Sequence, residues 1–141
     1  VSDLASSVWP LAAVVLFNNV LVASLAVIVL PSLVIPFAGI ALFAISLVDT
    51  GILLAPVDAE AAWALLPHSV VLLVEFQAYV LLIFGVFLHG RAWLRPSSVA
   101  APTRRRGYVR GLERIAWLGL LALVIHIVAA IYEAFEIVYI L

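Results

Sequence analysis

The feature that most constrains this fold is an almost uninterrupted apolar run over residues 11–56. A run of this length exceeds the roughly 20 residues that one membrane-spanning helix needs. Pro31 and Pro36 divide it, and proline removes a helical hydrogen bond and disfavours helix in the residue before it. We therefore predict two spans, at about 10–30 and about 36–55, joined by a tight turn at about 31–35.

The composition indicates an integral membrane protein. Of the 141 residues, 67% are hydrophobic and 11% are charged, whereas soluble domains typically have about 45–50% apolar and about 25% charged residues. A core of this size cannot hide so much apolar surface, so the remainder must face lipid. Further apolar stretches predict spans at about 69–90 and about 115–137. We predict an all-α bundle of about four transmembrane helices, forming a single domain over residues 1–141.

The connection after the second predicted span changes character along its length. It begins with Pro56, Asp58 and Glu60 and then becomes apolar again over residues 61–66. Trp63 lies in this second part, and tryptophan is enriched at membrane interfaces. We therefore expect a short helix that lies along the interface before the third span begins.

All seven basic residues are arginines, and all fall in the segment 91–114. Basic residues in short loops hold those loops on the cytoplasmic side of the cell membrane. We therefore predict a cytoplasmic loop over 91–114, with the 56–68 connection and both chain termini outside. Five of these arginines precede the fourth span, and we expect them to contact anionic lipid headgroups or a cytoplasmic partner. They are Arg104, Arg105, Arg106, Arg110 and Arg114.

Nucleic acid is not expected as a partner of the arginine-rich segment. The formal net charge of the chain is −1, and the predicted spans hold the basic residues against the bilayer.

Polar and ionisable residues within the predicted spans are costly, and such residues usually have a function. We predict that they form one intramembrane cluster, mostly in the outer half of the bundle and reaching the midplane at its histidine in the fourth span. The members are Asn18, Asn19, Asp49, His68, Glu75, His126 and Glu133. Residues seven apart on a helix project to nearly the same side, which favours the pairs His68 with Glu75 and His126 with Glu133. We expect Glu136 to continue the second stripe to the surface.

Several roles are open for this cluster. Polar groups that bridge helices stabilise membrane proteins by about 0.6 kcal/mol per hydrogen bond. Alternatively, carboxyl groups and a histidine, which titrates near neutral pH, could handle protons or cations. The site could also bind a lipid headgroup or a small ligand. His68, Glu75 and Glu133 lack the spacing of a metal site, and the chain has no cysteine, so we predict no metal and no cofactor.

Motifs of known enzymes are missing from the sequence. It has no nucleophile elbow, no His-Glu-x-x-His pair and no glycine-rich phosphate loop. We therefore predict no catalytic residues and no enzymatic activity.

Three polar motifs, in this order, resemble those of the stage II sporulation protein M family of integral membrane proteins. They are Phe17-Asn18-Asn19-Val20, then Leu66-Pro67-His68-Ser69 followed by Glu75 and Gly85, and finally Ala129-Ala130-Ile131-Tyr132-Glu133-Ala134-Phe135. The resemblance covers roughly residues 10–137. At position 72, where the family usually has a glutamate, this chain has Leu72, and Glu75 follows nearly one turn later.

The resemblance implies a multi-span, non-enzymatic membrane protein, because the named member of the family is a membrane scaffold for cell-wall-degrading partners. We therefore expect a scaffold or accessory subunit that binds a second copy or other membrane-protein subunits. The alternative is a small transporter or channel that uses the Asn/Glu/His cluster to bind a cation or proton. Four spans rarely enclose a pathway alone, so this alternative requires at least a dimer. A lipid-binding component is a third possibility.

Overall fold

The computed structural model describes residues 7–140, apart from the side chain of Ala64, and the described chain is all-α. Its four helices are α1 (Val8–Val34), α2 (Ala38–Leu53), α3 (Ala59–Leu94) and α4 (Arg104–Tyr139). Helices α1, α3 and α4 are long and apolar enough to cross a membrane, and α2 is a shorter apolar helix of 16 residues. The predicted all-α class is confirmed. The chain ends, predicted to lie outside, comprise residues 1–6 and 141 and fall beyond the described part.

The middle of α1 is wound differently from its two ends. It is π-helical over Asn18–Val29 and α-helical on both sides. Hydrogen bonds from residue i to i+5 widen the turn, so residues about five apart share a face. The buried residues of this π segment are five and then four positions apart: Asn19, Ser24 and Ile28. The π winding therefore turns both polar side chains, Asn19 and Ser24, into the bundle.

The chain reverses between α1 and α2 slightly later than predicted, at residues 35–37. Pro31 lies within α1, and the backbone stays helical past it to Val34. The reversal comes instead at Phe37, whose φ of 68° is left-handed. The Gly39 N–H then donates to the Ser32 hydroxyl at 2.9 Å, which fixes the start of α2 against the end of α1.

Helix α3 is longer than the predicted third span of about 69–90. It begins at Ala59, where the Asp58 side chain accepts a hydrogen bond from the Ala61 N–H at 2.8 Å. The segment 61–66 is therefore not a separate interfacial helix but the first part of α3, which continues through Pro67. Two residues after Pro67, the Ser69 hydroxyl donates to the Leu66 carbonyl at 2.6 Å.

The arginine-rich segment is mostly helical, so the connection between α3 and α4 is shorter than the predicted loop of 91–114. Helix α3 runs to Leu94, and only residues 95–103 lie between the two helices, with a 3₁₀ turn over Pro96–Val99. The Thr103 hydroxyl caps α4 by accepting from the Arg106 N–H at 3.3 Å. The five arginines predicted to bind lipid or a partner thus occupy the first three turns of α4.

Glycines explain why α4 starts before the fourth predicted span. A Cβ atom at Gly107 would overlap the Ala92 carbonyl, and one at Gly111 would overlap His89. These glycines let the first turns of α4 pack directly on the last turns of α3, while the arginines face outward. Helix packing therefore extends into a segment whose composition resembles a loop.

The core lies where α1 and α2 pack on the antiparallel pair α3 and α4. Its buried apolar side chains include Ile28, Phe43, Leu82, Val86 and Ile115. The outer surface is also apolar, with large aliphatic side chains such as Leu121, Val124 and Val128 more than half exposed. This distribution fits helices that face lipid rather than water.

Candidate intramembrane polar site

Four of the six buried polar residues that the structure describes lie toward the end of the bundle away from the arginines, which we call the Arg-free end; they are Asn19, Ser24, His126 and Glu136. Asn19 is buried in the π segment of α1, and its Nδ2 donates to Oε1 of Glu75 on α3. Glu75 is half-buried. The amide thus holds one carboxylate oxygen of Glu75 in the interior and joins α1 to α3.

A second polar contact lies deeper in the bundle. The Ser24 hydroxyl on α1 is 3.0 Å from Nε2 of His126 on α4, and both residues are buried. The ring of Tyr79 on α3 meets the His126 ring edge-on, at 4.9 Å between centroids. Nδ1 of His126 has no hydrogen-bond partner within residues 7–140. His126 on α4 therefore contacts α1 through Ser24 and α3 through Tyr79.

A third contact lies closest to the Arg-free end. Nδ1 of His68 on α3 is 3.4 Å from Oε2 of Glu136 on α4. The expectation that Glu136 reaches the surface is wrong, because this residue is only 1% exposed. The reason is packing between helices: His68 on α3 contacts Glu136 directly, and Val8 and Ala12 on α1 pack against the nearby Ala134. Glu133 is half-buried and lies within electrostatic range of Glu75 and His68.

A cavity of about 290 Å³ opens beside Glu75, between α1, α2 and α3. We call it the polar cavity. Its polar lining residues are Asn18, Asn19, Ser46, Thr50, Glu75 and Tyr79. Aromatic rings form part of the remaining wall, since Tyr79 lies 4.9 Å from Phe43 and 6.5 Å from Phe76 between ring centroids.

Six of the seven residues predicted to form the cluster lie in or near these contacts, and Asp49 does not. Asp49 is exposed on α2 and does not line the polar cavity. Successive residues on an α-helix are rotated by about 100°. Ser46 and Thr50, one turn apart, therefore share the face toward Glu75, and Asp49 lies to one side of that face.

The other end of the bundle holds His89, which is completely buried. Its ring meets that of Tyr108 at 4.5 Å and that of Trp93 at 5.9 Å between centroids. Tyr108 also donates its hydroxyl to the Leu33 carbonyl at 3.1 Å, which ties α4 to the end of α1. His89 therefore belongs to an aromatic packing cluster that is separate from the polar cavity.

The five arginines on α4 are all exposed. Arg110 donates through Nη1 to the Val99 carbonyl and so holds the connection against α4. Arg105, Arg106 and Arg110 line a surface depression with Thr103 and Glu113. None of the five lines the polar cavity.

Four functional candidates were missed by the sequence analysis: Ser24, Ser46, Thr50 and Tyr79. Serine, threonine and tyrosine are common in membrane helices, so their presence alone gives no signal. Ser46 and Thr50 have α-helical spacing on the face of α2 that meets Glu75, and that spacing is readable from the sequence. Ser24 could not be identified from such spacing, because its side chain shares a helix face with that of Asn19 only when the helix is π-wound.

Within residues 7–140, no group of three or more histidine, aspartate or glutamate side chains has the arrangement that could hold a metal ion. Comparisons with models of known protein families, with curated proteins and with solved structures each found no match to this chain.

Proposed function

We propose that this multi-pass membrane protein is a non-enzymatic scaffold or accessory subunit of a membrane complex. The observation that carries the proposal is the exposure of α2. Of its 16 residues, only Gly39 and Phe43 are buried. Ile45, Val48 and Ile52 lie along one helix face with exposed fractions of 60%, 62% and 69%. Helix α2 thus presents an exposed face that is apolar except for Asp49.

The dimensions of α2 favour a protein neighbour over lipid alone. Sixteen residues at about 1.5 Å each give a length of about 24 Å, which is shorter than the roughly 30 Å hydrocarbon core. Oligomerisation is one way to accommodate a short membrane helix. Ala41 and Ala44 are exposed near the same face as Ile45, and small residues allow helices to approach closely.

The polar contacts fit the same proposal. Asn19 with Glu75, Ser24 with His126, and His68 with Glu136 each join two different helices. Such contacts hold α1, α3 and α4 in one arrangement, as a docking platform requires. The resemblance to the stage II sporulation protein M family, whose named member is a scaffold, supports this reading.

Crosslinking from α2 tests the proposal. A photoreactive amino acid placed at Ile45, Val48 or Ile52 should give discrete protein adducts when the chain is irradiated in its native membrane. Val124 and Val128 on α4 are matched controls, since they are similarly exposed at 56% and 57%. Gentle extraction and mass analysis of the complex should then identify the same neighbour. Only lipid adducts from α2, together with a monomeric mass, would contradict the proposal.

A small oligomeric transporter or channel is the second candidate, favoured by the polar cavity and its carboxylate. The polar side chains lie toward the Arg-free end, and the apolar residues Ile28, Leu82 and Ile115 fill the core below them. A pathway would therefore have to run between copies of the chain. A pure homo-oligomer in the extracted complex, with α2 crosslinked to α2, would favour this candidate.

We also propose that the arginines of α4 contact anionic lipid. Arg104, Arg105 and Arg106 occupy the first helical turn, where the helix dipole disfavours positive charge. Anionic headgroups would offset that cost, at about 1 kcal/mol for each arginine near the surface. Replacing all three with glutamine should reduce the enrichment of anionic lipid around the protein in mixed nanodiscs.

A further inference from the structure

We propose that the polar cavity binds a primary ammonium group, with the Glu75 carboxylate as its charge partner. The inference goes beyond the scaffold proposal and does not rest on it, because binding can be measured on the isolated protein. It also gives a ligand class to the cavity that the second candidate function would use.

Charge is the first argument. Among the residues that the structure describes, Glu75 is the one carboxylate that lines the cavity, and neither arginine nor histidine lines it. Asn19 donates to Oε1 of Glu75, so the other carboxylate oxygen can accept a hydrogen bond from a ligand. A carboxylate at membrane depth is costly without a cationic partner. A cation in the cavity would supply that partner.

The remaining lining groups suit an ammonium group. A primary ammonium ion has three N–H donors. Beside Glu75, oxygen acceptors are available on Ser46, Thr50 and Asn18. The rings of Phe43, Phe76 and Tyr79 form a wall on which a cation is attracted by the aromatic faces.

The volume of the cavity favours an organic cation over a bare metal ion as the ligand. The cavity has about 290 Å³, close to the lower limit of about 300 Å³ for small-molecule pockets. A water molecule occupies about 30 Å³ in the liquid, so a single alkali ion would leave most of the cavity unfilled. An alkyl ammonium fills more of it and places its carbon atoms against the aromatic wall.

Two sources could supply this group. One is a small soluble amine, and the other is the ethanolamine headgroup of a phospholipid. Val22 and Leu47 line the cavity and are 48% and 37% exposed on the lipid-facing side of α1 and α2. A headgroup could enter there while its acyl chains stay in the bilayer.

The test measures thermal unfolding and binding heats of the full-length protein in detergent. Ethylammonium chloride is the probe, and sodium chloride and tetramethylammonium chloride at equal concentration are the comparisons. We expect ethylammonium to raise the unfolding midpoint most, because a ligand that binds the folded state stabilises it, and because it alone combines a charge, three donors and an alkyl group.

Glu75→Gln is the decisive variant, because glutamine keeps the shape and can still accept from Asn19. We expect it to weaken ethylammonium binding about 10- to 100-fold, the range for a lost hydrogen bond to a charged group. Glu113→Gln is the control, since Glu113 is a carboxylate on the arginine-bearing part of α4 and does not line the cavity. This control variant should bind ethylammonium as tightly as the parent protein does. If Glu75→Gln does not fold, Thr50→Val should still weaken binding, because Thr50 is an exposed residue that lines the cavity.

Thermal unfolding in nanodiscs distinguishes the two sources of the ammonium group. Stabilisation by phosphatidylethanolamine over phosphatidylcholine, lost in Glu75→Gln, would identify the lipid headgroup, whereas stabilisation by ethylammonium alone would identify a soluble amine. Equal stabilisation by sodium, or an ethylammonium effect that persists in Glu75→Gln, would overturn the proposal. If α2 forms no crosslinks to protein, that result contradicts the scaffold proposal and does not bear on ammonium binding.

Discussion

The contact between α1 and α2 depends on the missing side chain of Gly39. A Cβ atom at this position would overlap the backbone of Ile28, including its carbonyl oxygen. Backbone atoms cannot rotate away as a flexible side chain can, so the helices would have to separate. Because Gly39 is also the N–H donor to Ser32, the same residue fixes both the distance between the helices and the turn that joins them.

Gly39→Ala should therefore destabilise the protein by about 1–3 kcal/mol, the usual cost of overpacking. Gly51→Ala on the same helix is the control, because no atom outside its own turn lies within 4 Å of the added Cβ. It should leave the free energy of unfolding unchanged or slightly increase it, since alanine favours helix. Thermal unfolding in detergent measures both, and equal midpoints for the two variants would contradict the packing argument.

The Ser24–His126 hydrogen bond should be measurable as a coupling energy. We expect a cycle of Ser24→Ala, His126→Leu and the double variant to give about 0.6 kcal/mol, with an upper limit of about 1.7 kcal/mol, as for other hydrogen bonds between membrane helices. Reversible unfolding in bicelles is the measurement. Replacing Ser24→Ala by Ser46→Ala in the cycle should give no coupling, because Ser46 lies beside the polar cavity and is not bonded to His126.

At the scale of whole helices, the π segment Asn18–Val29 is what brings two polar side chains of α1 to two different partners. Asn19 and Ser24 are five residues apart, and on an α-helix they would point in directions about 140° apart. With π winding, Asn19 reaches Glu75 on α3 and Ser24 reaches His126 on α4. Local winding, rather than a long side chain, thus determines which helices are joined.

The early start of α3 depends on its cap. Asp58→Ala should remove the acceptor for the Ala61 N–H and cost about 1 kcal/mol of local stability, whereas Asp58→Asn should keep the cap. Amide hydrogen exchange should therefore become faster over the first turn of α3 in Asp58→Ala only. Identical exchange in the two variants would show that the capping bond does not stabilise this turn.

The whole molecule has a strong asymmetry between its two ends. All seven arginines lie in residues 91–114, while the polar contacts and the polar cavity lie toward the Arg-free end. Because basic segments are retained in the cytoplasm, we expect the Arg-free end to lie on the outer side of the membrane.

Cysteine labelling tests this orientation without background, because the chain contains no cysteine. Val57 is 91% exposed in the connection before α3, and Ser97 is exposed in the connection before α4. A membrane-impermeant maleimide should label Val57→Cys in intact cells and Ser97→Cys only after permeabilisation. The reverse pattern would place the arginines outside and contradict the predicted topology.

Much of the helical framework follows from the sequence alone. Lipid requires long apolar helices, so the runs of apolar residues locate α1, α3 and α4 with the shorter α2, and the polar residues within them mark Asn19, Glu75 and His126 in advance. The ends of the helices do not follow in this way. Composition assigned residues 61–66 and 104–114 to other structures, but capping at Asp58 and close packing at Gly107 and Gly111 extend the helices there.

The sequence by itself determined that the chain is apolar enough for lipid and where its costly polar groups lie along each helix. Only the tertiary structure decided which of those groups meet: Asn19 with Glu75, Ser24 with His126, and His68 with the buried Glu136. Asp49 contacts none of these groups. The physical reason is that a side chain's direction depends on helical winding and on the rotation of one helix against another. Both are determined by packing between residues far apart in the chain.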